Sequence, residues 1–366
     1  MRSRNPNCSG SKGTSDGVPD GTVMQRGALS VEELSGGIDL GLTIESGQTY
    51  LWRREDGRTY EGGATPLAAE TGDAPWYVTV VGVDENGTVT ARDPADHAVV
   101  RVRQTDGRLE WESTHDAVPI LRELLRLDDD LAAIEASAPE DPLVREAFEV
   151  ARGMRIVRDP PFPTTISFIC SAQMRVSRIH DMVTTLAETY GETVEFDGQH
   201  YHAFPTPDRL AGATEDELRE LGLGYRAPYV QRTAELVATG PDHPEDARGL
   251  PYEEARDFVT RFVGVGEKVA DCVLLFSLGY LNAVPLDTWI QSAIEDHYPD
   301  CDGGNYARTS RAIRDRLGVR TGALAVDGGT PETAVPARTA AGNVRDREDA
   351  YAGYVQTYLF HYLRTR

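Results

Sequence analysis

Lysine is almost missing from this chain: Lys12 and Lys268 stand against 35 arginines in 366 residues. Cysteine is scarce as well. Cys8, Cys170, Cys272 and Cys301 lie far apart and form no CxxC pair, which excludes a clustered zinc or iron–sulfur set and a disulfide-stapled scaffold. No metal or cofactor is expected, and the thiols read as buried or free groups of a reducing compartment. No window approaches the roughly 18 uninterrupted apolar residues of a membrane span. The opening MRSRNPNCSGSKGTSDGVPDG has no apolar core for a secretion leader and reads as a disordered tail. These absences together point to a cytoplasmic protein without a membrane partner.

Positive charge is short too: 59 acidic against 37 basic residues give a net charge of −22. A nucleic-acid partner normally leaves a basic footprint. An acidic chain that keeps arginine and loses lysine fits a cytoplasm held at very high salt, and at about 1 M the Debye length is only about 3 Å. Repulsion from a polyanion is then screened, so the charge does not exclude DNA.

The length suggests two to three domains. Residues 1–34 read as tail. Over 35–116, short runs such as IDLGLTI, QTYLW, WYVTVVGV, TVTAR and AVVRVR carry strand periodicity. Asp56-Gly57, Asn86-Gly87 and Asp106-Gly107 are dipeptides that accept the positive φ of tight hairpins. From 117 to 366 the period becomes helical, with helices expected at 120–127, 143–153, 166–190, 215–222, 228–238, 252–262, 267–279, 288–297 and 348–364. The stretch 321–346 is rich in Gly, Ala, Thr and Pro and reads as a flexible insertion. The expected class is α+β, an N-terminal antiparallel β domain followed by a larger all-α domain.

The most informative stretch is RFVGVGEKVADCVLLFS at 261–277. Two helices flank a ValGlyValGly turn, and Gly264 and Gly266, lacking Cβ atoms, let a rod-like ligand approach the backbone. The free amides of the second helix's first turn, up to Val269, and its dipole favour an anion such as a phosphate. A Walker loop would need Gly before its Lys, where Glu267 stands; a dinucleotide fingerprint would need Gly in place of Val269. Lys268 sits where the dipole disfavours a cation. It is either an ordinary basic residue or an amine kept because arginine cannot lose its proton and attack carbon; its rarity in this chain favours the second. Asp287, in AVPLDTWI, is a natural helix N-cap, and beside an amine nucleophile it also suits displacement of a base through an oxocarbenium-like state.

These residues, with IESGQTYLWR (44–53), SFICSA (167–172), LGLGYRA (221–227) and YAGYVQTYLF (351–360) in the same order, resemble the 8-oxoguanine DNA glycosylases of the helix–hairpin–helix/Gly-Pro-Asp superfamily. The resemblance implies a bifunctional DNA glycosylase and abasic-site lyase. In it Lys268 attacks C1′ and forms a Schiff base that cleaves the strand, and Asp287 assists. The damaged base is flipped into a pocket, where Gly47 presents its carbonyl to the N7 hydrogen. Gln356 bonds the Watson–Crick edge, and Phe360 and Cys272 cover the two faces. Tyr225 resembles the wedge opposite the lesion, and Arg178 an arginine that reads the estranged cytosine. Gln173 stands where the family commonly has an asparagine on that cytosine, and Trp289 where a histidine usually touches phosphate. The implied partner is double-stranded DNA containing oxidised guanine, the chain acting as a monomer in a prokaryotic cytoplasm. A glycosylase for another damaged or mispaired purine, or a non-catalytic DNA-binding helix–hairpin–helix protein, is the alternative.

Overall fold

The computed structural model describes residues 24–60, 74–92, 94–318 and 351–366. Five strands, β1 (Gln25–Ser30), β2 (Arg53–Arg54), β3 (Tyr77–Val83), β4 (Asp96–Thr105) and β5 (Arg108–Ser113), form an antiparallel sheet in the order β1-β5-β4-β3-β2. Asp106-Gly107 closes the β4–β5 hairpin, with Gly107 at φ +73°. Part of the segment read as tail is an edge strand: Gln25 to Ser30 pair with Ser113 to Arg108. Gly27 makes room there for Trp111, whose ring would lie 2.5 Å from a Cβ at that position. QTYLW contributes no strand residue, since β2 is the two residues that follow it; TVTAR gives only a Val83–Val89 bridge, and the Asp56-Gly57 turn closes on Arg54 rather than joining two strands.

IDLGLTI is not a strand. It forms a helix, α1 (Leu40–Glu45), because Asp39 caps it by accepting the Leu42 amide at 2.8 Å. Leu40 and Ile44, four apart, then face the sheet. Strand residues alternate between faces, and both faces are covered. Val81, Val83, Ala98, Val100 and Val102 pack on α1 and on α2 (Ala117–Leu124), which therefore belongs to the sheet's core rather than to the helical domain. Val78 and Val99 face the other way, against Phe196 and Tyr201.

The helical part continues through α3 (Leu131–Ser137), α4 (Pro142–Val150), α5 (Pro161–Cys170) and α6 (Val176–Tyr190). The run 166–190 is thus two helices, broken where Gln173 takes a left-handed φ of +52°. This domain is not wholly helical. The hairpin β6 (Thr193–Phe196) and β7 (Gln199–His202), turning at Asp197-Gly198, supplies the Phe196 and Tyr201 that cover the sheet. Next come α7 (Pro207–Ala211), α8 (Glu215–Glu220), α9 (Ala227–Thr239), α10 (Tyr252–Val259), α11 (Glu267–Val273), α12 (Thr288–His297), α13 (Tyr306–Leu317) and α14 (Ala352–Thr365). A π-helical turn, Leu274–Leu278, extends α11 to Gly279, whose φ of +82° ends it. The insertion expected at 321–346, and most of the expected tail, lie outside the described residues.

Arg155 joins the two parts. Fully buried, its guanidinium donates to the carbonyls of Gly37 (2.9 Å), Ser35 (2.8 Å), Arg126 (2.8 Å) and Asp129 (3.1 Å). Its own amide donates to Thr43 Oγ1 at 3.0 Å, and its carbonyl accepts Gln48 Nε2 at 2.8 Å. The segment 43–48 is therefore pinned to the helical domain. Arg155→Met would strand buried carbonyls, and we expect it to lower the unfolding free energy by about 3 kcal/mol, read from denaturant unfolding in molar salt.

Candidate active site

The helix–hairpin–helix is α10, the turn 260–266 and α11. Gly264 is exposed with φ +84°, and a Cβ there would lie 2.7 Å from the Tyr229 side chain, so the turn packs tightly onto α9. Gly266 is the N-cap of α11; it offers no side-chain cap, and a Cβ on it would meet nothing within 4 Å. The first-turn amides up to Val269 thus open onto an unobstructed face, as an external oxygen acceptor requires.

Lys268, half-buried in that first turn, turns inward. Its Nζ lies 3.4 Å from Ser171 Oγ and 5.6 Å from the Phe168 ring centroid. One turn later is Cys272, 3% exposed, whose thiol is pushed up to about 12 by burial, against the opposing charge of Lys268; it is a neutral thiol. Asp287 caps α12 by accepting the Ile290 amide at 2.8 Å. Burial raises its carboxyl above the ordinary value, opposed by the Ile290 amide and by the charges of Lys268 and Arg364. The cap and the charge partner are therefore the same carboxylate. The amine, the thiol and the carboxylate lie near enough for their charges to act on one another.

The opposite wall comes from the ends of the chain. Gly47 is buried at φ +99°, and a Cβ on it would lie 2.9 Å from Arg364 Nη1, 3.1 Å from Val176 Cγ1 and 3.6 Å from the Phe360 ring. Its carbonyl accepts the Tyr50 hydroxyl at 3.2 Å, and the Tyr50 ring meets Phe168 edge-on at 5.8 Å between centroids. Gly47 is thus linked through Tyr50 and Phe168 to Lys268. Phe360 is half-buried on α14; Gln356, one turn earlier on the same helix, is 3% exposed and accepts the Thr357 hydroxyl at 3.4 Å.

A second group lies at the surface. Arg178 is exposed, pairs with Asp181 at 3.8 Å, and its Nη2 lies 2.6 Å from where a Cβ on Gly222 would be. The same 221–226 turn carries Tyr225, 55% exposed and flanked by the Arg226 guanidinium at 4.4 Å and the Tyr229 ring at 6.4 Å. Arg226 in turn donates to the carbonyl of Ala172, beside the exposed Gln173. Tyr225, Tyr229 and Trp289 are three of the few exposed large apolar side chains among the described residues; Tyr229 supports the hairpin, and Trp289 follows Asp287 by two. Sequence reasoning assigned no role to Tyr50, Phe168, Ser171, Tyr229 or Arg364. Arg364 was legible, since it lies one helical turn after Phe360.

Among the described residues no helix is long and apolar enough to cross a membrane. Comparison with known proteins makes the chain an enzyme of DNA, an N-glycosylase with lyase activity. Residues 166–317 match the HhH-GPD superfamily of base excision DNA repair proteins, and residues 30–164 match the 8-oxoguanine DNA glycosylase N-terminal domain. The chain thus carries both domains, one after the other, over residues 30–164 and 166–317. It is 28% identical to an N-glycosylase/DNA lyase of Arabidopsis thaliana over 78% of this chain and 74% of that one. It is 35% identical to an N-glycosylase/DNA lyase of Saccharomyces cerevisiae over 45% of this chain and 47% of that one. Its structure resembles the Clostridium acetobutylicum 8-oxoguanine glycosylase/lyase in complex with double-stranded DNA containing cytosine opposite 8-oxoguanine. That likeness has a TM-score of 0.66 and 25% identity, over 89% of this chain and 92% of that one.

The loop that carries Gly47 is held partly by a buried acid. Burial pushes Asp159 up to about 7, opposed only by its hydrogen bond with the Thr49 hydroxyl. A carboxyl whose pKa rises on folding stabilises the fold when protonated, and that contribution is lost as pH rises from about 4 to about 7. Asp159→Asn should therefore gain stability relative to the wild type as pH rises from about 4 to about 7 and hold that gain above it, measured as the pH dependence of the difference in unfolding free energy.

Proposed function

We propose that this protein excises 8-oxoguanine from duplex DNA and then cleaves the strand at the resulting site. The observation that carries the reading is the placement of Lys268, Cys272 and Asp287 on one side of a site whose other side is Gly47 and Phe360. The hairpin at Gly264 and Gly266, with the α11 amides up to Val269, takes a backbone phosphate, so that recognition of the polyanion needs few basic side chains. Tyr225 wedges into the duplex; Gln173 and Arg178 meet the base left without a partner. The target nucleotide leaves the stack.

In the pocket the base lies between Phe360 and Cys272, with Gln356 on its Watson–Crick edge. The Gly47 carbonyl has two lone pairs, of which Tyr50 engages one. The other accepts the N7 hydrogen, which guanine lacks. The Lys268 amine attacks C1′. The C1′–N9 bond breaks and its electron pair leaves with the base, while the Asp287 carboxylate stabilises the positive charge growing on the sugar. Loss of the ring oxygen's hold on C1′ gives a Schiff base on Lys268. Removal of a C2′ proton then expels the 3′ phosphate by β-elimination, and hydrolysis returns the amine.

In molar salt, duplexes carrying 8-oxoguanine, an alkylated purine or a mispaired purine should show release of 8-oxoguanine above the others, and Lys268→Gln should abolish both base release and nicking. Gly47→Ala adds a methyl at a positive φ and against Arg364, and should slow 8-oxoguanine release by at least about tenfold. Preferential release of another purine would redirect the substrate assignment. Duplex binding with no release at all would reduce the protein to a DNA-gripping scaffold.

A further inference from the structure

Asp271 is a fully buried carboxylate that the chemistry above does not use. It lies on α11 three residues after Lys268, so it belongs to the helix that carries the amine. Tyr252 donates to its Oδ1 at 2.6 Å and Tyr306 to its Oδ2 at 2.8 Å. The Tyr306 oxygen is used a second time, accepting the backbone amide of Leu286 at 3.2 Å. Leu286 immediately precedes Asp287. Its carbonyl is held as well, by Gln291 Nε2 at 3.1 Å, and Asp287 itself is fixed to the Ile290 amide.

A tyrosine hydroxyl has one proton to give. Because Asp271 takes it, the lone pairs of Tyr306 are left facing the Leu286 N–H. Tyr306 opens α13, whose own start is capped by Asn305. Three elements therefore meet at one hydroxyl: the helix of the amine, the helix that supplies Tyr306, and the loop of the carboxylate. Charges close the cluster from behind. Arg314 stacks on the Tyr252 ring at 3.8 Å and pairs with Glu253 at 2.9 Å, while Arg256 lies 6.0 Å from the Tyr306 ring.

We propose that Asp271 and Tyr306 are positioning residues that set the Asp287 carboxylate relative to the Lys268 amine, by tying the helix of one to the loop of the other through a single buried hydroxyl. This rests on the reading of Lys268 and Asp287 as the reacting pair. Neither positioning residue touches substrate; both act through Asp287.

The test is a double-mutant cycle under single-turnover conditions in molar salt, with 8-oxoguanine duplex, reading base release and DNA affinity separately. Tyr306→Phe should slow release by about tenfold and change DNA affinity by less than about twofold. In the Asp287→Asn background the same substitution should cost nothing further, because what it positions is gone. Asp271→Asn keeps an oxygen for Tyr306 and should restore most of the rate lost in Asp271→Leu. The Tyr306 cycle decides the matter even where Asp271→Leu does not fold. An equal loss from Tyr306→Phe in both backgrounds, or no loss in either, overturns the relay while leaving the reacting pair intact. A wild-type rate for Asp287→Asn alone would instead remove the pair, and the relay with it.

Discussion

The site is built round one half-buried amine, Lys268, that has no counter-ion at bonding distance among the described residues. Lys268 starts a helix whose dipole opposes its charge; its Nζ rests against Ser171 and the Phe168 ring, with the neutral Cys272 thiol one turn away. Asp287 is near enough to feel that charge, yet its carboxylate is committed to capping α12. A tight salt bridge would have neutralised the site. A solvated lysine would have been a surface charge. The intermediate placement suits the proposed attack on carbon, in which a cationic adduct would form beside a carboxylate.

Much of the remaining chain serves to bring walls to that amine. The sheet domain contributes chiefly the segment 43–50, and its position is set by Arg155, Gln48 and Thr43 rather than by the sheet itself. Gln48 accepts the Val157 amide and donates to the Thr43 and Arg155 carbonyls, so the loop is bonded into the helical domain on both sides of Gly47. The last helix arrives from the far end of the sequence and closes the pocket with Phe360 and Arg364. Arg364 lies 5.2 Å from the Phe360 ring, and its Nη2 reaches the Glu45 carbonyl at 3.4 Å. The site is thus completed by segments about 310 residues apart in the chain.

Legibility in the sequence followed how local the deciding interaction was. The hairpin, Lys268 and the Asp287 cap were readable because glycines, a rare amine and an N-cap announce themselves within a few residues. The β4–β5 turn was readable for the same reason. IDLGLTI was misread because its apolar residues suit either period, and the Asp39 cap that decides for helix is a single side chain. β1 was unreadable: an exposed edge strand buries little and is defined by its partner, β5. The break at Gln173 was hidden inside a run of helical spacing. Asp197-Gly198 was an overlooked turn signal, and the β6–β7 hairpin it closes covers the sheet face of Val78 and Val99. Tyr50, Phe168 and the Asp271–Tyr306 pair emerge only when distant segments are folded together, since nothing within their own neighbourhoods distinguishes them from core.

The near-absence of lysine makes the central claim unusually easy to examine. Only Lys12, Lys268 and the terminal amine could form a reducible Schiff base in this chain. Borohydride reduction during turnover on 8-oxoguanine duplex, followed by digestion and peptide mass mapping, locates the adduct. The account predicts a sugar-derived mass on the peptide containing Lys268 and on no other. An adduct on Lys12 or on the terminal amine, with the Lys268 peptide unmodified, would contradict it.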